Sequence, residues 1–231
     1  MTTGAVGLIA VVNMKGGVGK TSTVVSLADA LGTATQTAVL VIDVDTQANA
    51  SYCLVGDRIR EIISAGRTID TFLRLSLLEG KAPPFGDHIT RMVSNTKARS
   101  RAAKIALLAS STDLRVSERE ILRHLTNAGE TLDGVEVRIK NTLQHQLASL
   151  DGEFGYVLID CAPGISPFTA AAIALADLVI VPTIPDFLSN LGLESFLATI
   201  GPNLPQPVAA RNPASSSRAR KRAARSPASS V

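Results

Sequence analysis

Two lysines five residues apart, Lys15 and Lys20, enclose a glycine-rich run that a hydroxyl residue closes: Lys15-Gly16-Gly17-Val18-Gly19-Lys20-Thr21. Glycines in such a run let successive backbone N–H groups turn inward around anionic oxygens, and the amides of a following helix add to them. Lys20 stands where a lysine reaches β- and γ-phosphates, and Thr21 where a hydroxyl meets Mg²⁺. Gly16, Gly17, Val18, Gly19 and Ser22 complete the nucleotide-binding set. The ordinary phosphate loop reads G-x-x-x-x-G-K-[ST]; its first glycine position is Met14 here, so the match is to a deviant form. Lys15 has no task in the ordinary scheme. A further cation at the cradle implies more negative charge to meet, possible across a subunit boundary.

Three carboxylates complement the loop. Asp43 and Asp45 follow the apolar run Ala38-Val39-Leu40-Val41-Ile42, and Asp160 follows Tyr156-Val157-Leu158-Ile159. Alternate residues of an extended segment face one side, so Asp43 and Asp45 can address a single site. A carboxylate such as Asp160 at the end of an apolar strand can hold Mg²⁺ beside β- and γ-phosphate oxygens.

Strands and helices must hold these groups in place. Residues 7–13 form a short apolar, β-branched run, and residues 21–31 place Val24, Leu27, Ala28 and Leu31 at helical spacing. Further strands are expected at 105–109 and 178–181. Helices are expected at 117–125, 135–150, 167–176 and 187–200, and a helical patch at 69–78. Residues 51–96 are the least legible stretch. The alternation predicts an α/β fold of P-loop NTPase type, a mostly parallel sheet with helices on both faces. Ligands collect at the carboxyl ends of such strands.

On these residues the chain resembles the ParA/MinD group of deviant Walker ATPases, and within it the ParA partition ATPases. The 15–21 loop is similar to the group's Walker A element with its signature lysine. Residues 43–49 resemble its D-x-D-P-Q-G-N element, and Asp160-Cys161-Ala162-Pro163 its D-x-P-P Walker B. Leu107-Leu108-Ala109-Ser110-Ser111 resembles the L-L-P-A-S stretch, and residues 181–193 the V-P segment and its helix.

The resemblance implies a slow, partner-stimulated Mg-ATPase. Lys15 would reach the nucleotide of a partner subunit, so that ATP is sandwiched in a homodimer. Asp45 would position the attacking water, with Asp43 near the metal shell and Asp160 and Thr21 serving Mg²⁺. The ATP-bound dimer would bind DNA without sequence preference in plasmid or chromosome segregation, and a ParB-like activator on the cargo would stimulate hydrolysis. The setting would be cytoplasmic and nucleoid-associated. Thr46 and Ala48 depart from the family's proline and glycine, and Ala162 from its double proline. Past residue 200 the family's next strand, adenine-contacting segment and C-terminal helices find no counterpart, so the chain is expected to be shortened. The alternative reading is a truncated paralogue that binds nucleotide without turnover and acts as an interaction module.

Composition bounds these readings. The 231 residues are 45% hydrophobic, enough for one α/β domain, expected over residues 1–205. No apolar stretch has the length of a membrane span. Six of the 23 basic residues and none of the 20 acidic ones lie in residues 211–231, so a net charge of +3 conceals a net acidic domain. Residues 206–231, rich in Ser, Ala, Pro and Arg, are expected to be disordered. They read either as a weak, salt-sensitive contact to nucleic acid or as solvated or out-of-frame sequence. The tail lacks the amphipathic face of a membrane-targeting helix. Cys53 and Cys161 have no metal-site spacing, and Cys161 is expected as a small packed residue. Lys97, Arg99, Arg101 and Lys104 form a basic loop cluster, and His88, His124 and His145 are expected on surfaces.

Overall fold

The computed structural model describes residues 7–201 apart from 36, 95, 96, 99, 100, 151 and 186. Five parallel strands make the main sheet: β1 (Gly7–Val11), β2 (Val39–Val44), β5 (Ile105–Leu108), β6 (Tyr156–Cys161) and β7 (Leu178–Ile180). A two-residue antiparallel pair, β3 (Lys97–Ala98) and β4 (Arg101–Ala102), precedes β5. The helices are α1 (Lys20–Ala34), α2 (Asn49–Val55), α3 (Ile59–Ser64), α4 (Ile69–Leu77) and α5 (Phe85–His88), with a 3-10 turn at Gly56–Arg58. They continue as α6 (Leu114–Asn127), α7 (Leu132–Ala148), α8 (Pro167–Leu175) and α9 (Phe187–Ile200).

Strand order is β5-β2-β6-β1-β7. Every residue of β2 is buried, which is why its sequence reads as a continuous apolar run rather than an alternating one. Side chains still alternate between faces. Leu40, Ile42, Val157 and Ile159 pack with Ile69, Phe72, Ile121, Ile139 and Phe168 in one core layer. Val39, Val41, Leu158 and Val11 pack with Val24, Ala28, Ala50, Ile59 and Ile62 in the other. Helices α4, α6, α7 and α8 therefore cover one face, and α1, α2 and α3 the opposite one. This is the expected doubly covered parallel sheet.

The two edges of the sheet differ. Residues 89–93 run antiparallel along β5, with Thr90 and Leu107 exchanging N–H···O bonds of 2.8 Å and Val93 N donating to Ile105 O at 2.9 Å. That segment satisfies an edge that would otherwise invite pairing. At the other edge, Leu178 of β7 is 52% exposed.

Several boundaries depart from the sequence expectations. Strands β2 and β6 end one residue beyond Asp43 and Asp160, the ends expected from the sequence, because Val44 and Cys161 continue the pairing in register. Helix α7 starts three residues earlier than expected, at Leu132, where Thr131 Oγ1 accepts from Gly134 N and caps it. The 51–96 region holds most of α2 and all of α3, α4 and α5. His124 and His145 are exposed, but His88 is buried. Its ring packs edge-on against Phe72, itself edge-on to Phe85, and burial lowers its pKa. Cys161 is fully buried, as expected. The tail, Arg99, Asp186 and the side chains of Lys97 and Arg101 lie outside the described residues. No helix among the described residues is long and apolar enough to cross a membrane.

Candidate nucleotide-binding site

The glycine-rich loop joins the end of β1 to the start of α1. Gly17 (φ 74°) and Gly19 (φ 88°) adopt left-handed backbone, which a side chain would strain. A Cβ built on Gly16, Gly17 or Gly19 meets no atom within 4 Å, so the space over the loop is open. Helix α1 has neither a side-chain cap nor an acidic residue in its first turn. By contrast α4, α7 and α8 are capped by Thr68, Thr131 and Ser166. An uncapped helix start leaves orphan amides and a positive dipole end for an anion.

Lys20 is buried, and its Nζ donates to the carbonyl of Lys15 at 3.2 Å. Burial lowers its pKa, while the charges of Asp160 and Asp45 oppose that shift. Lys15 lies exposed at the front of the loop, and its amide donates to Asn13 Oδ1 at 2.9 Å. Asn13 Nδ2 in turn donates to Pro182 O at 2.8 Å, which ties the loop to the segment after β7.

Thr21 Oγ1 donates to Asp160 Oδ2 at 2.7 Å. Asp160 is 1% exposed, and its other oxygen, Oδ1, is buried with no partner. Burial first, then the charge of Asp43, raises its pKa to about 7 against the opposing Thr21 bond and Lys20. An orphaned carboxylate oxygen beside a hydroxyl is a hard-oxygen set suited to Mg²⁺. That ion binds through one or two protein groups with phosphates and waters supplying the rest. The residues therefore fit Mg²⁺.

Asp43, which the resemblance implied lies near the metal shell, pairs in register with Asp160 and has both carboxylate oxygens engaged by protein donors. Its Oδ2 accepts from both the amide (2.8 Å) and the hydroxyl (2.7 Å) of Ser51, and its Oδ1 accepts from Asp45 N at 3.1 Å. It thereby serves the start of α2, whose N-cap residue Ala48 has no capping side chain and sits in left-handed backbone (φ 50°, ψ 34°). Burial raises the Asp43 pKa to about 6 despite those bonds. Asp45 is 6% exposed, and its Oδ1 accepts from Gln47 N at 2.9 Å.

The fold thus gathers Lys20, Thr21, Asp43, Asp45 and Asp160 at the carboxyl ends of β1, β2 and β6, on the α1 face. Sequence reasoning missed Asn13 and Ser51. A polar residue ending an apolar strand was the available signal for Asn13. Ser51 sits inside a short helix, where nothing marks a buried serine.

Residues 6–204 match the AAA domain family. Over 193 residues the chain is 31% identical to the chromosome partitioning protein ParA of Caulobacter vibrioides, covering 84% of this chain and 61% of that one. It is 30% identical over 193 residues to the chromosome-partitioning ATPase Soj of Thermus thermophilus, covering 83% of this chain and 60% of that one. The chain therefore spans about 61% of the length of the ParA relative. Among solved structures, cobyrinic acid a,c-diamide synthase from Mycobacterium smegmatis, with bound ADP and magnesium, superposes at a TM-score of 0.65. The identity is 29%, over 87% of this chain and 71% of that one.

Proposed function

Because the chain belongs to the AAA-domain family, as a ParA/MinD-type P-loop ATPase, we propose that it is a partition ATPase that hydrolyses Mg-ATP. In this reading the ATP-bound chain dimerises and binds DNA nonspecifically. A ParB-like activator on the cargo stimulates turnover and release, within the cytoplasm and on the nucleoid. The observation that carries the reading is the convergence of Lys20, Thr21, Asp45 and Asp160 beside an uncapped helix start.

Phosphoryl transfer to water depends on positioning and charge neutralisation more than on covalent chemistry. The amides of residues 16–22 would cradle the phosphates, and Lys20, already buried at the loop, would leave the Lys15 carbonyl for β- and γ-phosphate oxygens. Thr21 Oγ1 and Asp160 would hold Mg²⁺, directly or through its waters. Mg²⁺, when bound, neutralises charge across the β- and γ-phosphates. Asp45 would orient the attacking water. Lys15, exposed at the loop's front, would reach the nucleotide of the partner subunit. Asp43 would act through Asp45 and Ser51.

A second reading, a nucleotide-binding interaction module without turnover, is favoured by the half-exposed Leu178 at the β7 edge. Light scattering of the purified chain with Mg-ADP and Mg-ATP, each with and without nonspecific DNA, separates the two. An ATP-dependent dimer that binds DNA supports the partition ATPase. A monomer that binds nucleotide under every condition overturns it.

A further inference from the structure

Ser51 is fully buried and every hydrogen-bonding capacity of its hydroxyl that the structure uses is spent on other parts of the site. Its Oγ donates to Asp43 Oδ2 at 2.7 Å and accepts from Ser110 N at 2.9 Å, while its own amide donates to the same Asp43 oxygen at 2.8 Å. Three separate pieces of chain meet at this one atom group: the end of β2, the first turn of α2 and the turn that follows β5. That last turn continues the network. Ser111 Oγ donates to Asp70 Oδ1 at 3.0 Å and accepts from Asp113 N at 3.1 Å, which joins the starts of α4 and α6.

We infer that Ser51 is a positioning residue for hydrolysis, which fixes the Asp43 carboxylate so that the Asp45 loop is held toward the nucleotide. The inference rests on the ATPase reading above. Two donors from Ser51 on Oδ2 set the rotation of the Asp43 carboxylate, and that rotation turns Oδ1 toward the Asp45 amide. Asp45 has few other restraints: its carbonyl accepts from Ala48 N at 2.9 Å and its Oδ1 from Gln47 N, both within the same turn. The next residue that could brace the turn, Ala48, offers no side-chain hydrogen bond. Removing the Ser51 hydroxyl leaves Asp43 with one donor fewer and orphans the buried Ser110 N–H, a cost that relaxation of the turn would relieve. Small displacements of a water-orienting group are felt in the chemical step far more than in binding. The hydrogen bonds of the Ser51 amide and hydroxyl go to Asp43 and Ser110 rather than to the phosphate loop, so nucleotide affinity should be spared.

The test compares Ser51→Ala and Ser51→Thr with the unaltered chain. It measures kcat and KM for Mg-ATP, the nucleotide Kd, and hydrogen exchange at the amides of Asp45, Ser110 and residues 16–22. Ser51→Ala should lower kcat about tenfold or more with KM and Kd within about twofold, the split expected when only transition-state positioning is lost. The Asp45 and Ser110 amides should exchange about tenfold faster, with the phosphate-loop amides unchanged. Ser51→Thr, which keeps the hydroxyl, should recover most of kcat and the protection. An unchanged kcat in Ser51→Ala overturns the inference. So does a rise in KM and in phosphate-loop exchange together with lost kcat, which would mark general collapse of the site. If the unaltered chain binds Mg-ATP but never turns over, the ATPase reading has failed. Exchange at Asp45 and Ser110 then decides alone, and unchanged exchange there overturns the positioning role.

Discussion

Asp43 and Asp160 stand opposite each other in the β2–β6 register, with 0% and 1% of their surfaces exposed. Burial is the main cause that lifts their pKa values to about 6 and about 7, from an ordinary 3.8. Between the ordinary value and the raised ones, the folded chain holds protons that the unfolded chain has released. Stability from these groups therefore grows as pH falls through about 7 towards 4, and is lost as pH rises. His88, whose pKa is lowered by burial, acts in the opposite direction below its ordinary value. The informative quantity is thus the difference between the unaltered chain and Asp160→Asn. Without Mg²⁺, Asp160→Asn should raise Tm at pH 7.5 by a few degrees and by less at pH 5.5. Calorimetry at the two pH values checks this, and equal shifts at both would count against the raised Asp160 pKa.

Lys20→Ala should weaken Mg-ATP binding by about tenfold to a hundredfold, the scale of a charge-assisted contact. Asp45→Ala should leave the Kd within about threefold and lower single-turnover hydrolysis by about a hundredfold. Titration calorimetry and rapid-quench kinetics separate the two effects. Tight ATP binding by Lys20→Ala would remove the loop from the nucleotide site.

Thr21→Val removes the hydroxyl that donates to Asp160 Oδ2 at 2.7 Å while keeping the shape of the side chain. The unaltered chain should bind ATP more tightly with Mg²⁺ than with a chelator. Thr21→Val should bring the two affinities to within about threefold of each other. A full Mg²⁺ enhancement in the variant would place the metal elsewhere.

Ala48 carries left-handed backbone at φ 50° and ψ 34°, a conformation in which a Cβ is penalised. Ala48→Gly should stabilise the chain by about 0.5–1 kcal/mol, the relieved strain being partly offset by greater freedom in the unfolded chain. Ala48→Val, β-branched, should destabilise it by more than Ala48→Gly stabilises it. Denaturant midpoints at constant m-value measure both changes.

Much of this was legible because short-range patterns carried it. The apolar runs gave β1, β2 and β6, and the glycine spacing gave the loop, since each needs only its own few residues to be recognised. The substitution of the family's glycine by Ala48 stood out in the sequence, and the structure supplies its physical meaning as a left-handed position. What escaped were properties that depend on distant partners. The burial of His88 could not be read from its neighbours in sequence, because the ring it packs against, Phe72, lies sixteen residues earlier in the chain. The engagement of Asp43 with Ser51 joins residues eight apart across a turn whose path is set by Ala48. The cover of the β5 edge by residues 89–93 showed no strand pattern, since its backbone pairing to β5 is made only through Thr90 and Val93 among the described residues.

The start of α1, with no side-chain cap, leaves backbone amides that a bound anion would satisfy. In the proposed reading, nucleotide would then be part of what holds the fold, as well as what the fold acts upon. A ligand that binds only the folded state adds RT ln(1 + [L]/Kd), about 2.7 kcal/mol at a hundredfold excess over Kd. On that reading, the persistence of this protein against unfolding and proteolysis would track the nucleotide supply around it, and its abundance would report that supply.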